Sequence, residues 1–453
     1  MHTIRQSGEA LATRTVSAGA LLDASLAAID ADLARGGSTY TQVDRSAARE
    51  AAASSDAFRD RGYVPSALAG VPVSVKDLFD VKGQVTRAGS RILRDAAPAV
   101  RDAAAVARLR EAGAVFAGRT NMSEFAFSGL GVNPHFGTPL NPVDPTRLAG
   151  GSSSGAATSV ALGHAAAALG TDTGGSVRIP AAFCGLVGFK PTARRVPLDG
   201  IVPLSASFDS IGPIARSVDC CVLVDAIVSG QSLDTAPRAL AGLRFGITSD
   251  YVSDDLDGTV STAFNRTIDR LRRAGASVER FAFPELHEVA GRHPLAGITA
   301  AQAWAWHREH VARDADAYDP RVLKRLRVGE GRSAADYIDL LAARERFVRD
   351  ARARLARFDA WLMPTVAIVP PALADVEHDE AFFATNAKVL RNPSVVNFMD
   401  GCALTLPCHH EDELPVGLSI CGPALADASI LAIARSVEAL LRTGAPVVPV
   451  VPA

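Results

Sequence analysis

Residues 150–181 read GGSSSGAATSVALGHAAAALGTDTGGSVRIPA, two loops rich in glycine, serine and threonine around a run of small apolar residues. The middle, ATSVALGHAAAALG (157–170), predicts a helix whose small side chains let another backbone lie close to it. The loops are Gly150-Gly151-Ser152-Ser153-Ser154-Gly155 and Gly170-Thr171-Asp172-Thr173-Gly174-Gly175-Ser176. Either one alone reads as an ordinary turn or linker. A phosphate cradle of the GxxxxGK[ST] type is absent, because no lysine follows either loop closely.

Upstream, LAGVPVSVKDLFD (68–80) reads as a strand, AAVARLREAGA (104–114) as a helix ending at Gly113, and VFAGRT (115–120) as another strand. Such alternation indicates an α/β sheet with buried strands. Residues 129–156 are dense in Gly, Pro, Asn and Ser and read as loop. The N-terminal part offers an amphipathic helix over 17–33, capped by Ser17, and a more polar one over 44–60. Residues 246–365 carry long helical patterns and suggest a helical layer. Strand character returns at 360–366, 402–408 and 415–422, before a last helix (427–441) and a Pro/Val tail. The C-terminal strands are therefore expected to pair with N-terminal ones. This makes 1–453 a single domain, with a core catalytic segment at about 60–230 and a more divergent helical segment at about 246–360.

The 47 Lys and Arg against 49 Asp and Glu give a net charge of −2, which argues against an electrostatic nucleic-acid binder. With 48% hydrophobic and 21% charged residues, the composition is that of a soluble globular protein. Arg5, Glu9 and Arg14 interrupt any secretion signal, and no stretch approaches ~18 uninterrupted apolar residues. A cytoplasmic location with no membrane partner is expected. The six cysteines, at 184, 220, 221, 402, 408 and 421, form no CxxC pair and read as buried thiols.

Serine chemistry needs a base. A serine hydroxyl is a poor nucleophile until a neighbour takes its proton. Histidine is the usual neighbour, but His164 lies in the alanine-rich stretch, His135 in the Pro/Asn loop, and no GxSxG surrounds Ser176. Lysine is the recognised alternative when burial keeps its amine neutral. Only five of the 47 basic residues are lysines: 76, 82, 190, 324 and 388. For four of them coding bias is explanation enough. Lys76, inside VPVSVKDLF, is the candidate base.

With these residues in view, the segment 150–181 resembles the amidase signature family along its whole defining motif: double glycine, serine run, then GTDTGGSxRxPA. The resemblance extends to VPVSVKDLFDVKG, TNMSEFAFSGLGVNPHFGTPLNP, FCGLVGFKPT, GIVPLSASFDSIGPIARSV and LPVGLSICG, about 60–450, with 250–360 least family-like. It implies an α/β fold with a large central mixed β-sheet covered on both faces by helices. It also implies an amidohydrolase that needs no cofactor and no metal. Ser176 matches the acyl-forming nucleophile, Ser152 the bridging serine on a cis peptide, and Lys76 the base. The backbone N–H groups of Thr173, Gly174, Gly175 and Ser176 match the oxyanion hole, and Asp172 with Arg178 an ion-paired scaffold for the loop. Ser154 stands where the family more often has glycine. Met122, Phe127 and Arg325 are the candidate substrate contacts, with pocket walls from 121–128, the loop near His135 and 290–330.

Two further functions stay open. One is the glutaminase component of a tRNA-dependent amidotransferase. That enzyme carries an acid seven residues before the asparagine matching Asn397, where this chain has Leu390, although Arg325 remains available as a carboxylate anchor. The other is a catalytically inactive binding module. The expected partner is a small amide, and a homodimer is left open. Cys408-His409-His410-Glu411-Asp412 reads as a polar hairpin loop rather than a metal site. His307 and His310 read as a solvated helix face, and Trp304 and Trp306 as packing.

Overall fold

The computed structural model describes residues 3–287 and 294–442. Its strands are β1 Tyr40–Gln42, β2 Pro72–Lys76, β3 Val115–Thr120, β4 Ala167–Thr171, β5 Val187–Lys190, β6 Ile211–Ala215, β7 Arg244–Ile247, β8 Ser277–Arg280, β9 Ala360–Pro364, β10 Cys402–Pro407 and β11 Gly417–Gly422. They form one mixed eleven-stranded sheet in the order β1-β3-β2-β4-β6-β5-β10-β11-β9-β7-β8. β2 runs parallel to both β3 and β4, and β7 parallel to β8 and β9; the remaining pairs are antiparallel. The early and late halves of the chain meet where β5 pairs with β10, through Lys190↔Ala403, Phe189↔Leu404 and Gly188↔Thr405.

Helices cover both faces, and β4 shows why its composition suits this. Successive strand residues point to opposite faces. Ala168 packs with Ala156, Ala157, Val177 and Ala181, whereas Ala167 and Leu169 belong to the larger core containing Val218, Val224, Ile430 and Leu431. The segment 157–170 is not the continuous helix its composition predicts. The helix is Ser154–Ala161, Gly163 follows at φ 77, and Ala167–Thr171 is the central strand β4. Alanine favours helix locally, but pairing with β2 and β6 in a fully buried layer outweighs that preference.

The segment 246–360 is also less purely helical than its pattern suggests, because the parallel pair β7 and β8 extends the sheet beyond β9. β8, Ser-Val-Glu-Arg, is an exposed edge strand with no apolar run to betray it. The helix Asp379–Phe398, which contains Pro393, has no counterpart in the expectations. Ser17 does cap its helix, accepting from Ala20 N. All six cysteines are free and buried. Cys408–Asp412 lies in the β10–β11 connection, where Glu413 pairs with Arg266. His307 is not solvated: it is fully buried, with Nδ1 2.9 Å from Tyr318 Oη and its ring edge-on to Phe125. Trp304 and Trp306 pack partly buried against the main core. The Pro/Val tail lies outside the described residues. No helix among the described residues is long and apolar enough to cross a membrane.

A buried ionic cluster ties the last helix to the sheet. Arg195 bridges Asp225, on the helix Val218–Ser229, and Asp427, which opens the helix Asp427–Arg442 and also accepts from Thr192 N and Oγ1. Removing Arg195 leaves two buried carboxylates without their cation. Arg195→Ala is therefore expected to lower unfolding free energy by about 3–5 kcal/mol in urea titration. A loss under ~1 kcal/mol, within the range of an exposed pair, would show that the carboxylates do not depend on it.

Candidate active site

Lys76 ends β2, on a strand whose five residues are all buried, and is itself 0% exposed. Its Nζ donates to Ser152 Oγ at 2.7 Å and to Thr171 Oγ1, at the end of neighbouring β4, at 2.9 Å. Both partners are hydroxyls, and among the described residues Lys76 makes no ion pair. Burial pushes its pKa down from the usual lysine range to about 7, against an opposing pull from the charges of Asp172 and Asp209. Thr171 escaped the sequence reading, although it immediately precedes Asp172 in the same loop.

The peptide bond between Gly151 and Ser152 is cis. Gly151 N donates to Gly129 O at 2.8 Å, and a Cβ at Gly151 would lie 2.6 Å from Gly131 N. The two glycine-bearing loops are thus stacked backbone to backbone. Ser152 O accepts from Ser123 N, while Ser153 N donates to Ser176 O at 3.2 Å and Ser153 Oγ to Thr171 O. These contacts bring the serine loop against the second loop. Ser176 is 3% exposed, and its Oγ makes no hydrogen bond with the described residues. The Ser152 and Ser176 side chains make no hydrogen bond to each other.

Asp172 organises the second loop. Its carboxylate accepts from Gly175 N, Val177 N, Arg178 Nε and Nη2, and Asn397 Nδ2, all within 2.9–3.2 Å. Burial alone would raise its pKa, but Arg178, with help from Lys190 and Asn397, brings it down to about 2. Arg178 Nη2 also reaches Pro393 O and Asn397 Oδ1. Gly175 N–H is therefore engaged by Asp172. The N–H groups of Thr173, Gly174 and Ser176 have no acceptor among the described residues. Gly175 sits at φ 130, and a Cβ there would lie 2.6 Å from both Ile179 Cδ1 and Pro393 Cγ, so no other residue fits.

Asp209 was also missed. Thr173 Oγ1 donates to its Oδ1 at 2.6 Å, and Leu204 N and Ser205 N donate to its Oδ2, both at 3.0 Å. The signal was available, since Asp209 is the only charge in GIVPLSASFDSIGPIA (200–215). Lys190, set aside as a trace of coding bias, is fully buried at the β5–β10 seam. It donates to Pro191 O and Gly401 O, each at 2.7 Å, and burial lowers its pKa to about 8.

The expected substrate contacts are placed as follows. Arg325 Nη1 donates to Phe127 O at 2.6 Å, its guanidinium lies 4.5 Å from the Phe127 ring, and it makes no ion pair among the described residues. Burial pushes its pKa down to about 10. Met122 is fully buried and packs against Gly89. His135 Nε2 is 2.8 Å from Glu124 Oε1. Phe125 and Ala126 both have positive φ, which turns this segment sharply. Leu390 lies against Gly129 and Gly174: a Cβ on either would be 3.1 or 3.7 Å from its Cδ2. A cavity of ≈ 560 Å³ beside the helix Arg45–Asp60 is lined by Val75 rather than Lys76, and so is separate from this site. Among the described residues no group of three or more His, Cys, Asp or Glu is placed to hold a metal.

Comparison with known proteins bears on this geometry. The family model described as Amidase matches residues 21–431. A 2-amino-5-chloromuconic acid deaminase from Comamonas testosteroni is 39% identical over 413 residues, covering 89% of each chain. The A-type subunit of a glutamyl-tRNA(Gln) amidotransferase from Anaeromyxobacter sp. (strain K) is 34% identical over 472 residues, covering 96% of this chain and 95% of its own. Among solved structures, an amidase superposes with a TM-score of 0.88 at 34% identity, over 97% of this chain and 99% of that one. On this match across nearly its whole length, the chain belongs to the amidase family and is an enzyme that hydrolyses carbon–nitrogen bonds other than peptide bonds.

Proposed function

We propose that this enzyme opens a C–N bond in a small amide or related carbamoyl compound through a serine acyl-enzyme, with Lys76, Ser152 and Ser176 as its proton relay. The observation that carries the reading is the buried lysine, held near neutrality and 2.7 Å from the Ser152 hydroxyl. An amine that titrates near 7 is close to the best compromise between being deprotonated and being basic enough. As Ser176 Oγ attacks the carbonyl carbon, its proton passes to Ser152 and the proton of Ser152 passes to Lys76. The N–H groups of Thr173, Gly174 and Ser176 receive the negative oxygen. When the C–N bond breaks, the same chain returns a proton to the departing nitrogen. Water then repeats the attack on the ester, releasing a carboxylic acid and restoring Ser176.

Arg325 supports a substrate that itself carries a carboxylate. A largely buried guanidinium without an ion pair favours an anionic ligand over a neutral one. The deaminase relative is named for an acid. The glutaminase reading is supported by the amidotransferase relatives and by the same arginine. It is disfavoured by Leu390, which puts an apolar side chain beside Gly129 and Gly174 where that reading needs an acid. Retention of all three relay residues disfavours the inactive module. Free, buried cysteines fit a reducing cytoplasm, and the continuous sheet fits one catalytic unit spanning the chain.

Ser176→Ala is expected to abolish turnover and labelling by a fluorophosphonate. Full-stoichiometry labelling of that variant would remove Ser176 from its role. Because Lys76 works deprotonated and has a lowered pKa, kcat/KM should fall as pH drops through about 7, initially toward tenfold per unit, and level off above. A flat profile between about pH 5.5 and 8.5 would show that the proton leaves by another route. Arg325→Ala should raise KM for carboxylate-bearing amides by about 10- to 100-fold and leave neutral amides little changed. Equal effects on both would make Arg325 structural. A panel of amides, carbamates and ureas that includes L-glutamine, read by ammonia or amine release, separates the two enzymatic readings.

A further inference from the structure

The proton relay leaves a charge problem. When Lys76 takes a proton it becomes an ammonium inside the protein, hydrogen-bonded only to two hydroxyls. The charges that act on it are those of Asp172 and Asp209. Asp172 is already bound by both nitrogens of the Arg178 fork and is further influenced by Lys190. Asp77, next to Lys76 in sequence, is held by Arg119 at 2.9 Å. Asp209 differs from both. It is 2% exposed, makes no ion pair among the described residues, and is fixed by three uncharged donors: Thr173 Oγ1, Leu204 N and Ser205 N.

Its location follows from strand geometry. Asp172 N donates to Ser210 O and Ser210 N to Asp172 O, so the β4–β6 pairing continues past Thr171 and sets Thr173 beside Asp209. Side chains two apart along an extended segment share a face. Thr171 thus receives Lys76 while Thr173 reaches Asp209, and Thr173 also carries one of the unengaged oxyanion donors.

We propose that Asp209 is a positioning residue of the reaction, which tethers Thr173 within the oxyanion loop and supplies the counter-charge for the ammonium that Lys76 becomes. The inference rests on the serine and lysine relay proposed above. Burial raises the Asp209 pKa to about 6, partly offset by Thr173, Ser205, Leu204 and Lys76, so the carboxylate is ionised where the lysine works. Among the described residues no other charge acting on Lys76 is free for this purpose.

Asp209→Asn tests it. An amide keeps the shape and an oxygen for Leu204 N and Ser205 N, but removes the charge. Two changes are expected: a plateau kcat lower by about 10- to 100-fold, and an acidic limb of kcat/KM displaced downward by about half a pH unit or more. The displacement is downward because losing a nearby negative charge makes the Lys76 ammonium easier to deprotonate. Thr173→Val leaves the carboxylate in place, so its plateau should fall while its limb moves less than that of Asp209→Asn. Loss of rate in Asp209→Asn with an unmoved limb would reduce Asp209 to a structural support and overturn the counter-charge. An unchanged rate would overturn the whole inference.

If Asp209→Asn does not fold, the native enzyme decides. Its limb should steepen from a slope of about one toward two below about pH 6, as Asp209 also protonates, with activity recovered on return to pH 7.5. A slope staying at one down to about pH 5 would count against the proposal. Failure of the relay itself is seen separately, as turnover that survives Ser176→Ala.

Discussion

An amine withdrawn from water between two hydroxyl oxygens is the arrangement around which the site is organised. Lys76 contacts Ser152 and Thr171, and every residue of its strand is buried. Had a carboxylate stood at either position, Coulomb attraction would hold the lysine as a permanent ammonium unable to accept a proton. The chain avoids this by keeping Asp172 one residue beyond Thr171 and binding it to Arg178. The lysine feels the charge of Asp172 while making no ion pair with it. Balance between burial and distant charge, rather than any single contact, places the amine near neutrality.

The Asp172–Arg178 pair explains why the late part of the chain matters to an early motif. Both side chains are fully buried, and a buried pair is stable only when its remaining hydrogen-bonding capacity is met. Asn397 and the carbonyl of Pro393, from the helix Asp379–Phe398, meet part of it. Pro393 also crowds the position where a side chain at Gly175 would stand. A helix some 200 residues downstream therefore helps to shape the loop bearing Ser176. The β5–β10 seam, with Lys190 bonded to Gly401 O, fixes the same two halves at the sheet.

Legibility differed by residue for identifiable reasons. VFAGRT is a strand over all six residues because its apolar run matches its buried position. The alanine-rich run before Gly170 deceived because alanine is small enough for either structure, and partner strands, absent from a local reading, chose between them. β8 carried no apolar signal because it lies at an exposed edge. Asp209 and Thr171 were passed over for a different reason. Asp209 stands out as the only charge in an apolar stretch, but neither it nor Thr171 carries a signature of its role until β2–β4 pairing brings Thr171 to Lys76 and the continued β4–β6 pairing brings Asp209 to Thr173.

The sequence by itself determined the class of the fold, the family and the residues offered as nucleophile, bridge and base, since motif spacing and residue chemistry are written locally. Arginine could not replace Lys76 in this role, because a guanidinium does not give up its proton near neutral pH. Tertiary structure alone decided which of these groups meet, which N–H groups remain open and what charge surrounds the lysine. Gly175 N–H is engaged by Asp172, Lys190 lies buried at the seam, and Leu390 faces Gly174. Burial and electrostatic balance are sums over neighbours from distant parts of the chain, and those neighbours exist only once the sheet has formed.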